Sequence, residues 1–183
     1  MTTIIRIGND VYTDQRVGVS NCTRRTHHTK EIGKIFLSPK KFFVVAFTGI
    51  VPYANEQPDV NMILSKLEEL YIELVACGDF SKRDFLKNIK SKYKGAWDDI
   101  KFSTRFSVLM MNKNITVELY IENGRAQVAC FNHNRPIGTG SGMNYIDMER
   151  LYSDTIENIL HTITLSDPNS GPEFDHINIA KVG

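Results

Sequence analysis

Long apolar runs are missing from this 183-residue chain, and nothing approaches the roughly 18 consecutive apolar residues that cross a bilayer. The first residues are polar or β-branched, with neither a basic start nor an apolar stretch of signal-peptide length, so the expectation is a soluble, cytoplasmic protein with no membrane partner. An excess of one charge is missing too: 22 Lys plus Arg against 21 Asp plus Glu leave a net charge of +1, without the broad basic surface that nucleic acid requires. Cysteine is scarce. Cys22, Cys77 and Cys130 are odd in number, with no CxxC spacing and no clustered His, so reduced and mostly buried thiols are expected and no metal site. A phosphate loop is absent, because Gly138-Thr139-Gly140-Ser141-Gly142 lacks the Lys and the spacing; by itself it reads as a turn before a helix. No cofactor is implied.

What is present is ordinary globular composition, 42% apolar and 23% charged, at a length that predicts one domain over 1–183. The amino terminus alternates Ile5, Ile7 and Val11 about Gly8-Asn9-Asp10, a hairpin that returns Asp14 to the neighbourhood of Thr2. From Val17 to Glu31 the chain is rich in Thr, Asn, His and basic residues, too polar for a core strand, and reads as a solvated surface loop, the functional alternative being that it lines a cleft beside Thr2. Lys34 to Leu37 and Phe42 to Phe47 are two strands around the turn Ser38-Pro39-Lys40-Lys41. The second is apolar on both faces, which places it inside a sheet covered on both sides.

Helical spacing follows over 59–77 and over 81–94, with Glu68 assigned to the polar side of the first helix. Strands are predicted over Phe106 to Met111, Ile115 to Ile121 and Arg125 to Phe131, the last two joined by the hairpin pair Asn123-Gly124. In the middle strand Ile115, Val117, Leu119 and Ile121 define a buried face, and Thr116, Glu118 and Tyr120 a partly polar one. A single helix is predicted over 144–164, with Met148, Leu151, Tyr152, Thr155, Ile156, Ile159 and Leu160 inward, and a last strand over 174–182.

A Thr directly behind the initiator Met carries a hydroxyl and an α-amine on one residue once that Met is removed. The amine, with an ordinary pKa near 8, can take the hydroxyl proton close to neutral pH. Lys34, a cation opening an apolar strand, must be paired or placed beside a group that it serves.

Six elements in order resemble the proteasome β-subunit family and its bacterial relative, the HslV peptidase. They are Thr2-Thr3-Ile4, Asp14-Gln15-Arg16, Lys34-Ile35-Phe36, the apolar strand ending at Gly49, Thr139-Gly140-Ser141-Gly142, and Asp167-Pro168-Asn169-Ser170-Gly171. The resemblance implies an α+β fold of the N-terminal nucleophile hydrolases, a four-layer α-β-β-α sandwich with two antiparallel sheets. It implies Thr2 as nucleophile, Lys34 as the adjacent cation oriented by Asp14, and the Gly49 amide as oxyanion donor. Ser141, Asp167 and Ser170 hold the Thr2 amine in that reading, with Arg16, Thr139 and Gly171 in support. Between Ser141 and Asp167 the chain is shorter than the family by about two to three helical turns, so one of two expected helices is curtailed or missing. The implied activity is threonine-type hydrolysis of unfolded polypeptide inside a stacked homo-oligomeric ring fed by an ATP-dependent unfoldase. A catalytically silent ring subunit that keeps Met1, and an amidase acting on small amides, are the alternative functions.

Overall fold

In a computed structural model the described residues are 2–20, 27–31, 34–49, 65, 68–69, 106–122, 125–132 and 135–183. Among the described residues eleven strands run in the order β1 (Ile4–Ile7), β2 (Asp10–Asp14), β3 (Arg16–Ser20), β4 (His27–Glu31), β5 (Ile35–Leu37), β6 (Val44–Gly49), β7 (Phe106–Met111), β8 (Ile115–Glu122), β9 (Arg125–Asn132), β10 (Ile137–Thr139) and β11 (Phe174–Asn178). A 3-10 turn, Ser141–Tyr145, and the helices α1 (Arg150–Ser153) and α2 (Ile156–Ser166) stand between β10 and β11. The strands form a four-stranded sheet ordered β10-β1-β2-β11, a five-stranded sheet ordered β5-β6-β7-β8-β9, and the separate pair β3-β4. All pairings are antiparallel, and the class is α+β.

The β1-β2 turn is Gly8-Asn9, closed by the pair Ile7 and Asp10, and Gly8 takes φ 59°, a left-handed value that glycine adopts without steric cost. Ile4, Val11, Ile137 and Ile179 from the four-stranded side pack against Val44, Ala46, Leu109 and Met111 of the five-stranded sheet, so the main core lies between the two sheets. Burying an aliphatic side chain of this size contributes about 1.5–3 kcal/mol. On the other face of the small sheet, Ile5 packs with Ile146, Leu151, Ile159 and Ile163, which seats α1 and α2 there. Strand β6 is buried on both faces, since Phe43 and Val45 are as inaccessible as Val44 and Ala46. The helices expected to cover its outer face, 59–77 and 81–94, lie outside the described residues apart from Ser65, Glu68 and Glu69, which are helical.

Five expectations need correction. Val17 to Ser20 and His27 to Glu31 are strands rather than loop: β3 and β4 pair from Arg16 with Glu31 to Ser20 with His27, backbone pairing that polar side chains do not forbid, and the rest of the stretch lies outside the described residues. Glu68 is buried rather than on a solvated face, because its carboxylate accepts the Lys40 amide. The partly polar face of β8 turns toward the core: Thr116, fully buried, pairs with Met111 and takes a hydrogen bond at 2.6 Å from the buried Arg6 guanidinium of the opposite sheet. The predicted helix 144–164 is broken. The Asp154 carboxylate accepts from the Thr155 amide, the Asn158 side chain and Arg150, and Thr155 caps α2 through the Asn158 amide. The break resets the helical phase and leaves Met148, Tyr152 and Thr155 exposed, and α1 is four residues long. Lastly, β11 ends at Asn178, after which the Ile179 amide turns to the Asn9 carbonyl and the Val182 amide to the Ile179 carbonyl.

Candidate active site

Residues 2 and 3 enter the four-stranded sheet just ahead of β1, and they are fixed to four separate parts of the chain. The peptide unit joining them is held at both of its polar atoms. Its carbonyl, from Thr2, accepts the Thr48 hydroxyl at 2.7 Å; its amide, from Thr3, donates to Asp14 Oδ1 at 2.5 Å. Thr48 is the penultimate residue of β6 and Asp14 the last of β2, so the two main sheets grip one peptide between them.

Asp14 has a second task. Its Oδ2 takes the Lys34 ammonium at 3.0 Å, an ion pair in which the side chains are 0% and 7% exposed. Lys34 stands immediately before β5, and burial pulls its pKa below the ordinary lysine value, opposed by the Asp14 carboxylate and more weakly by Asp175. Asp175 is held in turn by the Gln15 side chain at 2.5 Å.

The Thr3 side chain belongs to a polar chain whose proton directions are determined. Asp167 Oδ2 accepts from Ser141 Oγ at 2.6 Å and from Ser170 Oγ at 2.8 Å, while Oδ1 accepts from the Asn169 amide. Burial on its own would raise the Asp167 carboxyl, but the Ser141 hydroxyl, the Asn169 amide and the Ser170 hydroxyl together hold it below its ordinary value. It is therefore an ionised acceptor at neutral pH. Ser170 has one hydroxyl proton and gives it to that carboxylate, so across the 2.8 Å contact with Thr3 Oγ1 the threonine donates. Thr3 Oγ1 accepts in return from the Gly142 amide at 2.9 Å. The order is Gly142 N–H, Thr3 hydroxyl, Ser170 hydroxyl, Asp167 carboxylate.

Two glycines make room for this. Gly140 has φ 102° and ψ −179°, a region essentially reserved for glycine, and a Cβ there would lie 1.7 Å from the Thr2 carbonyl oxygen. A Cβ on Gly142 would meet Thr3 Oγ1 at 2.5 Å and Ile163 at 2.6 Å.

Of the residues expected from the sequence, Thr2, Asp14, Lys34, Ser141, Asp167 and Ser170 are buried and lie within one connected neighbourhood. Gly49 follows Thr48 at the end of β6, and Gly171 is buried behind Ser170. Thr139 pairs with Ile4 at the end of β10 and is half-buried. Arg16 opens β3, and its side chain lies outside the described residues. Sequence reasoning missed Thr3 and Thr48 as site components. Their only signal was position, each a hydroxyl residue adjoining one already selected. Among the described residues no group of three His, Cys, Asp or Glu could hold a metal ion, and no helix is long and apolar enough to cross a membrane.

No protein-family model matches the sequence, nor does any curated protein. Solved structures do match. BPH from Thiobacillus denitrificans, in complex with epoxomicin, superposes with a TM-score of 0.50 at 15% identity, over 98% of this chain and 98% of its own. Anbu from Hyphomicrobium sp. strain MC1 gives 0.50 at 9% identity, over 97% and 81%. Anbu from Yersinia bercovieri, described as an ancestral beta-subunit, gives 0.46 at 12% identity, over 96% and 79%. At such identities, the likeness to BPH and to the Hyphomicrobium chain is one of fold.

Proposed function

We propose that this chain is an N-terminal threonine peptidase of a proteasome- or HslV-like self-compartmentalising assembly, with the α-β-β-α layering of that group, acting once removal of Met1 exposes the Thr2 amine. The observation that carries this reading is the contrast between two neighbouring threonines. The Thr3 hydroxyl is committed at both its donor and its acceptor side, whereas the Thr2 hydroxyl has no hydrogen-bond partner among the described residues although its peptide is fixed at both ends. A held backbone with an uncommitted hydroxyl suits a nucleophile.

The steps follow from that arrangement. Thr2 Oγ attacks the scissile carbonyl carbon while its proton passes to the Thr2 α-amine, directly or through water. The amine then protonates the departing amine of the substrate, leaving an ester on Thr2 Oγ. Attack by water on the ester releases the acid and restores the hydroxyl. Lys34, held by Asp14, supplies positive charge that favours the deprotonated forms of both the amine and the hydroxyl. The Gly49 amide serves the oxyanion, a contribution worth roughly 100- to 1000-fold in rate where it has been removed from other enzymes. Ser141, Asp167 and Ser170 set the polarity of the ground on which residues 2 and 3 rest, with Arg16, Thr139 and Gly171 around them. The substrate is unfolded polypeptide. Sequestering so indiscriminate a nucleophile calls for a stacked homo-oligomeric ring and an ATP-dependent unfoldase in the cytoplasm.

The fold shared with an epoxomicin-bound chain makes epoxomicin the natural probe. Protein isolated without Met1 should gain the mass of one epoxomicin on the peptide that begins at Thr2, and Thr2→Ala should gain none. Labelling that persists in Thr2→Ala would reject Thr2 as the nucleophile. An intact mass that retains Met1 in protein from its native host would favour a catalytically silent ring subunit.

A further inference from the structure

We infer that Thr48 is a positioning residue for the reaction: its hydroxyl fixes the carbonyl of residue 2 and so aims the Thr2 hydroxyl. The inference rests on the function proposed above but adds a residue that neither the sequence nor the resemblance selected.

Three observations converge on it. The Thr48 hydroxyl donates to the Thr2 carbonyl at 2.7 Å in a buried setting, Thr48 itself being 6% exposed. The other polar atom of the same peptide unit, the Thr3 amide, is held by Asp14. A peptide pinned at its oxygen and its hydrogen keeps its plane, and with it the Thr2 Cα, in place, so the point from which the Thr2 side chain projects is fixed. Finally, Thr48 precedes Gly49, so one short piece of β6 carries both the group that orients the nucleophile and the amide proposed for the oxyanion. The spacing between them is set by a single covalent link.

The geometry makes the hydroxyl necessary and the methyl group insufficient. Valine has the volume of threonine and the same branched shape, yet would leave the Thr2 carbonyl buried and without its donor. Serine keeps the donor with one methyl group fewer. Gly140 packs so close to this carbonyl that a Cβ there would overlap the oxygen.

The test uses three proteins, each shown by intact mass to begin at Thr2: wild type, Thr48→Val and Thr48→Ser. Hydrolysis of a fluorogenic peptide is measured for each at the same assembly size. Thr48→Val should lose about 10- to 100-fold in kcat with KM essentially unchanged, since a misaimed nucleophile hinders chemistry rather than binding. Thr48→Ser should recover most of the loss. In an HNCO spectrum, the one cross peak that correlates the Thr3 amide with the Thr2 carbonyl carbon should move in Thr48→Val and return in Thr48→Ser. A valine variant with wild-type kcat, or one whose loss appears entirely in KM, would overturn the inference while leaving the peptidase reading intact. Wild-type protein that begins at Thr2 and hydrolyses nothing would overturn the peptidase reading, and with it the role assigned to Thr48.

Discussion

Replacing Lys34 by Met removes the positive partner of a carboxylate that is itself completely buried. Breaking a buried ion pair from one side typically costs 3–5 kcal/mol, because the remaining charge keeps its desolvation penalty and loses its compensation. Here Asp14 retains the Thr3 amide on Oδ1 at 2.5 Å, a charge-assisted hydrogen bond, so the lower end of that range applies, about 3 kcal/mol. For a chain of this length each kcal/mol moves Tm by about 2–4 °C, so the expected drop is about 6–12 °C. Neutralising both partners, as Lys34→Met with Asp14→Asn, removes the buried negative charge as well and should recover part of the loss. The cycle of four proteins should therefore return a coupling above about 1 kcal/mol. Urea denaturation followed by far-ultraviolet circular dichroism at pH 7 measures it, at one protein concentration because assembly adds its own stability. Peptide hydrolysis should vanish in both Lys34 variants. If Lys34→Met unfolds within about 1 kcal/mol of wild type and the cycle shows no coupling, Asp14 and Lys34 are not a desolvated, mutually dependent pair.

Three more outcomes follow from the same geometry. Gly140→Ala forces a side chain into glycine-only backbone space, a strain of about 1–3 kcal/mol, and pushes on the Thr2 carbonyl; a lower Tm and lost hydrolysis are expected, and an unchanged Tm by calorimetry would contradict the placement of that turn. Asp167 has a lowered folded pKa, so its contribution to stability is fully present above the ordinary carboxylate value of 3.8 and is lost as pH falls through the lower folded value. The Tm gap between wild type and Asp167→Asn should accordingly narrow below about pH 4, and a gap independent of pH would argue against an ionised Asp167. Sedimentation should find a closed homo-oligomer of about six or more copies, which a stable monomer at micromolar concentration would contradict.

What could be read from the sequence depended on whether a residue's role was carried by its own neighbours. The first hairpin was legible because Gly8-Asn9 interrupts a clean alternation, and β6 because a run apolar on both faces has few places to go. Lys34 betrayed itself as a charge beside an apolar strand. The helix break at Asp154-Thr155 was hidden, since apolar residues continue at helical spacing across it and the stop is made by side-chain caps. Strands β3 and β4 were hidden by polar composition, their pairing being a property of the backbone alone. Glu68 was misassigned because its partner, the Lys40 amide, lies 28 residues away. Thr3 and Thr48 were invisible for the same reason: nothing near Thr48 indicates that a carbonyl 46 residues earlier will come within 2.7 Å of its hydroxyl, or near Thr3 that Ser170 will.

Peptide hydrolysis by this chain depends on whether the amine of Thr2 is the base. Two preparations of the chain, alike except that one begins at Thr2 and the other keeps Met1 ahead of it, should be compared in the hydrolysis of an unfolded, fluorescently labelled polypeptide at equal assembly size. The Thr2 form should turn over substrate, and the Met1 form, whose residue-2 nitrogen is an amide without basicity, should not. Equal rates from the two would contradict the mechanism at its first step.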